Sequence, residues 1–271
     1  MMNMETLLAW ADQHAALFFV LVVSVAATSG WFYWRSREPW QAEAPVPMLR
    51  RRYGFVIAIV TSGVFAALAF AIEADGRLVA FDQRITDAVQ ARLGPAMLDV
   101  LAAITQLGGS HQLVIASVLI AIALLGLRHP LLASGWALSV LGNGLLIRVG
   151  KNHFQRTRPV HDHGPVIETG YSFPSGHAAG SLMFYGMLAY VLVVLLPPRW
   201  HRLVFGVAIA MVALIGGSRV LLQVHFVSDV FAGYALAIGW GALCVSAIEF
   251  VRTSRLPKPI EDALNYSKSG P

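Results

Sequence analysis

The segment 174-PSGHAAGSLMFYGMLAYVLVVLL-196 decides the fold. A short polar turn, Pro174 to His177, leads directly into an apolar run that continues to Leu196. An α-helix needs about 20 apolar residues to cross the hydrocarbon core of a bilayer, so the run predicts a membrane-spanning helix. Its polar start indicates that ionisable residues gather where this helix meets the membrane surface.

The composition of the whole chain agrees with a membrane protein. Of its 271 residues, 56% are hydrophobic and 13% are charged, whereas soluble domains have about 45–50% and roughly 25%. This composition excludes disordered, collagen-like and disulfide-scaffold classes, and the single cysteine, Cys244, cannot form an intrachain disulfide. The net charge of +5 indicates topology and lipid contacts, not nucleic-acid binding, because no basic stripe is interleaved with aromatic residues.

Seven segments are long and apolar enough to predict membrane spans. They are residues 15–34, 54–73, 111–127, 130–148, 177–196, 202–218 and 229–250. The first is interpreted as a retained helix and not as a signal peptide, because residues 1–14 contain no Lys or Arg and carry Glu5 and Asp12. The chain is therefore predicted to be an all-α integral membrane protein.

The distribution of basic residues predicts the orientation. Most of the Lys and Arg residues fall in 35–52, 128–129, 197–203 and 251–271, which places these segments in the cytoplasm by the positive-inside rule. The N-terminus is then expected outside and the C-terminus inside. The outer loop 76–110 is predicted to hold two interfacial helices that meet at Gly94–Pro95, because its apolar residues recur at helical spacing.

Three clusters of polar residues stand out from this apolar background. The first runs from Lys151 to Pro159, the second is Pro174 to His177, and the third runs from Ser218 to Asp229. The first two share one loop and the third lies two crossings later, so all three return to the same face of the membrane. Ionisable residues at membrane depth are costly, and such a group predicts a functional site.

The residue types in these clusters indicate a phosphoryl group. Lys151, Arg158 and Arg219 supply cationic donors, and a guanidinium can bind two phosphate oxygens at once. Ser175 and Gly176 lie at a predicted helix N-terminus, where free N–H groups and the helix dipole favour an anion. Gly176 also lacks the side chain that would keep a phosphate away from the backbone.

Two histidines and a carboxylate are candidates for the chemistry. If His225 and Asp229 share a helical turn, their i,i+4 spacing puts both on one face. Asp229 would then accept a hydrogen bond from one ring nitrogen and leave the other free to attack phosphorus. His177, on the phosphate-binding turn, is expected to protonate the leaving oxygen and then to activate water.

The combination K-x6-RP, PSGH and SR-x5-H-x3-D resembles the motif set of the type 2 phosphatidic acid phosphatase superfamily, which also includes vanadium haloperoxidases. All three motifs match without a substitution and in family order, and the resemblance covers about residues 54–250. It implies a core of six membrane helices, to which the helix at 15–34 is an addition. The expected organisation is an N-terminal helix with a basic linker (1–53), a phosphatase membrane domain (54–251) and a cytoplasmic tail (252–271).

The resemblance implies a role for each matched residue. The residues expected to bind the phosphate are Lys151, Arg158, Ser175, Gly176 and Arg219. The residues expected to be catalytic are His225 as the nucleophile that forms a phosphohistidine, Asp229 as its orienting partner, and His177 as the general acid. No metal and no cofactor are implied.

The implied function is hydrolysis of a lipid phosphate or pyrophosphate at the periplasmic face of a bacterial inner membrane. Undecaprenyl pyrophosphate, phosphatidylglycerophosphate and phosphatidic acid are the candidate substrates. A phosphohistidine can also pass its phosphoryl group to another lipid, such as lipid A. A third interpretation, an anion transporter, is disfavoured because the polar residues gather at one face and do not line a path across the membrane.

Several charged residues near the first cluster have more than one interpretation. The run His161-Asp162-His163 has a spacing that suits a metal site, but a solvated loop near the lipid entrance or a headgroup contact is preferred. His153, Arg156 and Glu168 are expected either at the loop surface or in contact with the substrate headgroup.

Overall fold

The fold comes from a computed structural model that describes residues 49, 51–74, 76–90, 94–160 and 166–254. The predicted helix at 15–34 and the run His161-Asp162-His163 lie outside the described residues. The described part of the chain contains no strand. Its helices are α1 (Arg51–Ala74), α2 (Arg77–Gln90), α3 (Pro95–Gln106), α4 (Ser110–Gly126), α5 (Pro130–Phe154), α6 (Gly176–Leu195), a 3₁₀ turn (Pro198–Trp200), α7 (His201–Leu221) and α8 (Val227–Thr253).

Six segments in the described ranges are long and apolar enough to cross a membrane. They are Arg52–Ala74, Pro95–Gly126, Pro130–Phe154, Gly176–Leu195, Pro198–Leu221 and Val227–Thr253. Each of them contains most or all of one of the six spans predicted for this region. Most of the ends agree within a few residues, and Pro95–Gly126 extends well beyond the predicted span 111–127. The prediction of an all-α integral membrane protein that crosses the bilayer several times is therefore confirmed.

Local backbone chemistry sets the ends of the helices beside the polar clusters. α5 starts with Pro130 in its first turn, where the missing N–H has no helical partner to lose. It stops at Gln155, whose left-handed φ of 46° turns the chain out of the helix. α6 starts after Ser175, whose side-chain oxygen accepts the N–H of Ala178 at 3.4 Å.

The core of the bundle is built around α6, which packs against α4, α5, α7 and α8. Trp136 of α5 and Phe184 of α6 lie in this core with ring centroids 5.4 Å apart. The indole Nε1–H of Trp136 donates to the carbonyl of Ser117 on α4 at 3.1 Å. In lipid, close packing and such interhelical hydrogen bonds hold helices together. The start of α6 is consequently held in place by helices packed around it.

α1 runs antiparallel along α8. Near the start of α1, a Cβ on Gly54 would collide with the hydroxyl of Ser246 on α8. Near the end of α1, Ala69 shares an apolar cluster with Ala232 and with Phe173 from the loop before α6. The end of α1 therefore lies at the same end of the bundle as the end of α5 and the starts of α6 and α8. This end is called the site end.

The two helices predicted in the loop 76–110 are present as α2 and α3, with Gly94 between them. Both contact the site end. Asp82 of α2 accepts the backbone N–H of Ser228 on α8 at 3.1 Å, and Thr105 of α3 accepts a hydrogen bond from Arg219 on α7 at 2.8 Å. Their location in the membrane interface stays a prediction.

Candidate active site

The structure brings the three polar clusters together at the site end. Lys151 lies on the last turn of α5, and Arg158 lies in the loop that follows. His177 lies on the first turn of α6, Arg219 on the last turn of α7, and His225 between α7 and α8. Counting the membrane crossings between the clusters therefore predicted correctly that the three clusters lie together.

His225 is buried with 2% of its surface exposed. It precedes α8, whose N-cap is Phe226, so His225 and Asp229 do not share a helical turn as the i,i+4 spacing suggested. They still meet: Nδ1 of His225 lies 3.4 Å from Oδ2 of Asp229. The carboxylate reaches back because it also accepts the N–H of Phe226 at 2.9 Å, an interaction that caps the helix start.

The contacts of His225 define its tautomer. Nη1 of Arg158 lies 3.1 Å from Nε2 of His225, and a guanidinium can only donate hydrogen bonds. Nε2 is therefore the acceptor, and the ring proton is on Nδ1, facing Asp229. The lone pair of the ring points into the group of cationic side chains, as a nucleophile for phosphorus requires.

The protonation state of His225 follows from its surroundings. Burial lowers the pKa of His225 to about 4; the carboxylate of Asp229 opposes this shift, and the cations Arg158 and Arg219 add to it. The imidazole is neutral at pH 7 as a result, and its nucleophilic lone pair is available.

Backbone carbonyls orient two of the cations. Arg158 donates to the carbonyls of Val224 at 2.7 Å and of Gly170 at 3.1 Å. Nζ of Lys151 donates to the carbonyl of Tyr171, which also lies 3.4 Å from Nη2 of Arg158. Carbonyl contacts fix the direction of both side chains without neutralising their charge, so both remain able to bind an anion.

Arg219 is fully buried. Its Nη1 donates to the hydroxyl of Thr105 at 2.8 Å, and its Nη2 donates to the carboxylate of Glu168. Among the residues that the structure describes, its Nε has no hydrogen-bond partner. A buried donor without an acceptor is costly, and a bound phosphate oxygen would supply the acceptor.

Glu168 lies inside the cationic group. The sequence, which predicted a position at the loop surface or in contact with the headgroup, did not indicate these contacts. Besides Arg219, its carboxylate lies 3.8 Å from Nδ1 of His177 and 3.8 Å from Nη2 of Arg158. Burial alone would raise the pKa of Glu168, but Arg219, His177 and Arg158 together lower it below its ordinary value. An anion of the chain itself thus occupies the place where the sequence predicts a phosphate.

The start of α6 forms one wall of the site. A Cβ on Gly176 would lie 3.8 Å from Ile147 and 4.0 Å from Cε of Lys151, so a side chain there would fill the space beside the lysine. Ser175 is buried, and its N–H donates to the carbonyl of Asp229 at 3.0 Å. On α8, Gly233 permits this contact, because a Cβ there would lie 2.7 Å from the carbonyl of Ser175.

Of the two positions expected for Arg156, the loop surface or a contact with the headgroup, the loop surface is wrong. Its side chain is 7% exposed, and its Nη1 donates to Oδ1 of Asp229 at 2.6 Å while Nη2 donates to Asp82 at 2.8 Å. The turn at Gln155 directs Arg156 inward, and its guanidinium stacks over the ring of Phe226 at 4.2 Å. The hydroxyl of Ser172 also donates to Asp229, so the catalytic candidate Asp229 has several donors.

The run His161-Asp162-His163, for which a metal site was one interpretation, lies outside the described residues. In the ranges that the structure describes, no group of three or more His, Cys, Asp or Glu residues could hold a metal ion.

Comparisons with known proteins give a consistent result. Residues 130–252 match the PAP2 superfamily model. The chain is 34% identical over 182 residues to a phosphatidylglycerophosphatase B of Bacillus subtilis. The aligned region covers 64% of this chain and 86% of the relative. It is 34% identical over 139 residues to a lipid A 1-phosphatase of Rhizobium etli, which covers 48% of this chain and 55% of the relative.

A solved structure is also similar. The crystal structure of a transmembrane PAP2-type phosphatidylglycerolphosphate phosphatase from Bacillus subtilis superposes with a TM-score of 0.62 at 29% identity, and the match covers 74% of this chain and 98% of that chain. The segment that matches the family model contains all three polar clusters.

Proposed function

Because this chain belongs to the PAP2 superfamily and is similar to a bacterial lipid phosphatase of that family, we propose that it hydrolyses a lipid phosphate or pyrophosphate through a phosphohistidine at His225. The observation that carries the proposal is the placement of Nε2 of His225. This unprotonated nitrogen lies 3.1 Å from Arg158, in a group of cations that already binds a carboxylate. The class of enzyme, a phosphoric monoester hydrolase, follows from the family.

The first chemical step transfers the phosphoryl group to the enzyme. The terminal phosphate displaces the carboxylate of Glu168 and is bound by Lys151, Arg158 and Arg219. Nε2 of His225 attacks phosphorus in line, the bond from phosphorus to the lipid oxygen breaks, and His177 gives its proton to that oxygen. The cations are in place before the reaction, so they lower the barrier without reorganising.

The second step regenerates the enzyme. Water attacks phosphorus and gives a proton to the now neutral His177, the bond between Nε2 and phosphorus breaks, and inorganic phosphate leaves. Asp229 stabilises the positive charge that the imidazole ring of His225 carries as a phosphohistidine. No step in this scheme needs a metal ion.

The substrate and the side of the membrane are proposals of the same kind. Phosphatidylglycerophosphate is the first candidate, because the relative covered over 86% of its length is a phosphatidylglycerophosphatase B. The site end would face the periplasm, because basic residues mark the opposite end: Arg128, Arg199, Arg202 and Arg252. We place the protein in a bacterial inner membrane, with the substrate entering from the outer leaflet.

A panel of lipids tests this function. Purified protein in detergent is assayed for phosphate release from phosphatidylglycerophosphate, undecaprenyl pyrophosphate, phosphatidic acid and lipid A, with EDTA present. We expect release to persist in EDTA and to be fastest from phosphatidylglycerophosphate. Loss of activity on chelation would overturn the metal-independent mechanism. Phosphate that appears only on a second lipid, followed with a labelled donor, would identify a phosphotransferase in place of a hydrolase.

A Glu168→Gln variant tests whether a phosphate binds where this carboxylate lies. Inorganic phosphate is expected to inhibit the variant about 5- to 10-fold more tightly than the parent, because it no longer competes with an anion for Arg219. The control is Glu73→Gln, which removes the same charge from an exposed position at the end of α1. Equal inhibition of parent and Glu168→Gln would place the phosphate elsewhere.

The pH dependence follows from the lowered pKa of His225, which must be neutral to attack. Burial lowers that pKa to about 4, so protonation of His225 should reduce kcat/KM only as the pH approaches 4. Between about 6.5, the ordinary value, and 4, the unfolded chain takes up a proton that the folded chain does not. The free energy of unfolding should therefore decrease as pH falls through this window. An acid limb of kcat/KM near 6.5 would contradict the buried, neutral state.

A further inference from the structure

A chain of buried charges lies behind Asp229, apart from the residues that would touch phosphate. It connects Asp82 of α2, Arg156 of the loop after α5, and Asp229 of α8. Nη1 of Arg156 lies 2.6 Å from Oδ1 of Asp229, and Nη2 lies 2.8 Å from Oδ2 of Asp82. Both carboxylate side chains have 0% of their surface exposed.

Ser228 completes the hydrogen bonding of this group. Its backbone N–H donates to Oδ1 of Asp82 at 3.1 Å, and its hydroxyl donates to Oδ2 of the same residue. Nη1 of Arg156 also donates to that hydroxyl at 2.7 Å. A buried charged side chain stays ionised only when it is paired with an opposite charge and its polar atoms have hydrogen-bond partners, as they do here.

Stability alone gives no reason for this arrangement. Buried ion pairs can often be replaced by apolar side chains without loss of stability, and Asp82 occupies a position where an apolar residue would fit. It shares the inward-facing stripe of α2 with Leu78, Ile85 and Val89, at helical spacing. The carboxylate interrupts an otherwise apolar contact, and its charge is directed through Arg156 to the catalytic candidate.

We propose that Asp82 and Arg156 are positioning residues that act through Asp229 on His225. The inference rests on the proposed function of His225 as the nucleophile. Arg156 binds Oδ1 of Asp229, while Oδ2 accepts hydrogen bonds from Ser172 and Phe226 and lies 3.4 Å from Nδ1 of His225. These contacts hold the plane of the carboxylate in place beside the ring. Asp82 balances the guanidinium, so that Arg156 orients Asp229 without cancelling its negative charge.

The signs of the expected effects follow from the charges around His225. Asp229 from α8 and Arg158 from the loop lie 3.4 and 3.1 Å from the ring, and Arg219 from α7 and His177 from α6 interact with it electrostatically. Asp82 and Arg156 lie behind Asp229, and we expect their charges to act on the ring from there. Removing the negative charge of Asp82 disfavours the protonated ring, and removing the positive charge of Arg156 favours it.

The test compares the acid limb of kcat/KM in four variants. Asp82→Asn should move the limb to lower pH and Arg156→Gln should move it to higher pH, each by roughly one pH unit. In both variants kcat should fall on the order of 10-fold, a loss typical of residues that orient a functional group. Arg156→Lys, which keeps the charge, and Ser228→Ala, which removes a neutral member of the network, should leave the limb in place.

The outcomes separate this inference from the proposed function. If the parent protein releases no phosphate from any lipid, the proposed function has failed. If the parent is active and both charge variants keep the parental limb, the inference is wrong. If Asp82→Asn does not fold, the acid limb of kcat/KM in Arg156→Gln is compared with that in Arg156→Lys. The inference is wrong if the two limbs coincide. If neither charge variant folds while Ser228→Ala does, the network is structural and the inference is overturned.

Discussion

A His225→Ala variant is expected to lose phosphate release by about 10⁵-fold or more, the loss seen when an enzyme loses its nucleophile. The cationic group and the start of α6 would remain, but the nitrogen proposed to attack phosphorus would be gone. Lipid binding should survive, because the residues proposed to bind phosphate are unchanged. The measurement is single-turnover phosphate release together with equilibrium binding of a lipid phosphate.

The matched control for this variant is His201→Asn. His201 begins α7 at the opposite end of the bundle, where its ring lies 3.0 Å from the carbonyl of Leu196. Its loss should leave kcat within a factor of about two, as expected for a surface change of small energy. Substantial turnover by folded His225→Ala, within about 10-fold of the parent, would show that another group attacks phosphorus.

An Asp229→Asn variant should lose kcat by about 10³- to 10⁴-fold, as when an amide replaces the carboxylate that orients a catalytic histidine. Oδ1 of Asp229 faces Arg156 and Oδ2 faces Nδ1 of His225, so an amide NH₂ meets a donor in either orientation. Turned toward His225, it would displace the ring proton to Nε2 and remove the nucleophilic lone pair.

Glu249→Gln is the control for the loss of a buried carboxylate from α8. Glu249 is 2% exposed and accepts hydrogen bonds of 2.6 Å from Tyr190 and from Arg252, far from the site end. Both variants should lower the melting temperature, but only Asp229→Asn should lower kcat. Equal losses of kcat in the two variants would mean that Asp229 serves helix stability and not the orientation of His225.

The sequence predicted the spans and the meeting of the three clusters for physical reasons. A helix that crosses lipid must satisfy its backbone internally and present apolar side chains, so hydropathy alone reveals it. Counting crossings then places Lys151, His177 and His225 at one face without any knowledge of packing.

The sequence did not predict the burial of Arg156 or the position of Glu168. Charged residues in a polar loop are usually solvated, and nothing local distinguishes Arg156 from such a residue. Its partner Asp82 is distant in sequence and meets it only through tertiary packing of α2 against the site end. One signal was present: Asp82 is an acid in the apolar stripe formed by Leu78, Ile85 and Val89.

The stereochemistry at phosphorus tests the central claim most directly. A lipid phosphorothioate monoester made chiral by ¹⁸O at one of its two non-bridging oxygens is hydrolysed in ¹⁷O-labelled water, and the configuration of the released thiophosphate is determined. Two in-line transfers, first to Nε2 of His225 and then to water, invert phosphorus twice and predict net retention. Net inversion would show that water attacks the lipid phosphate directly and would contradict the phosphohistidine intermediate.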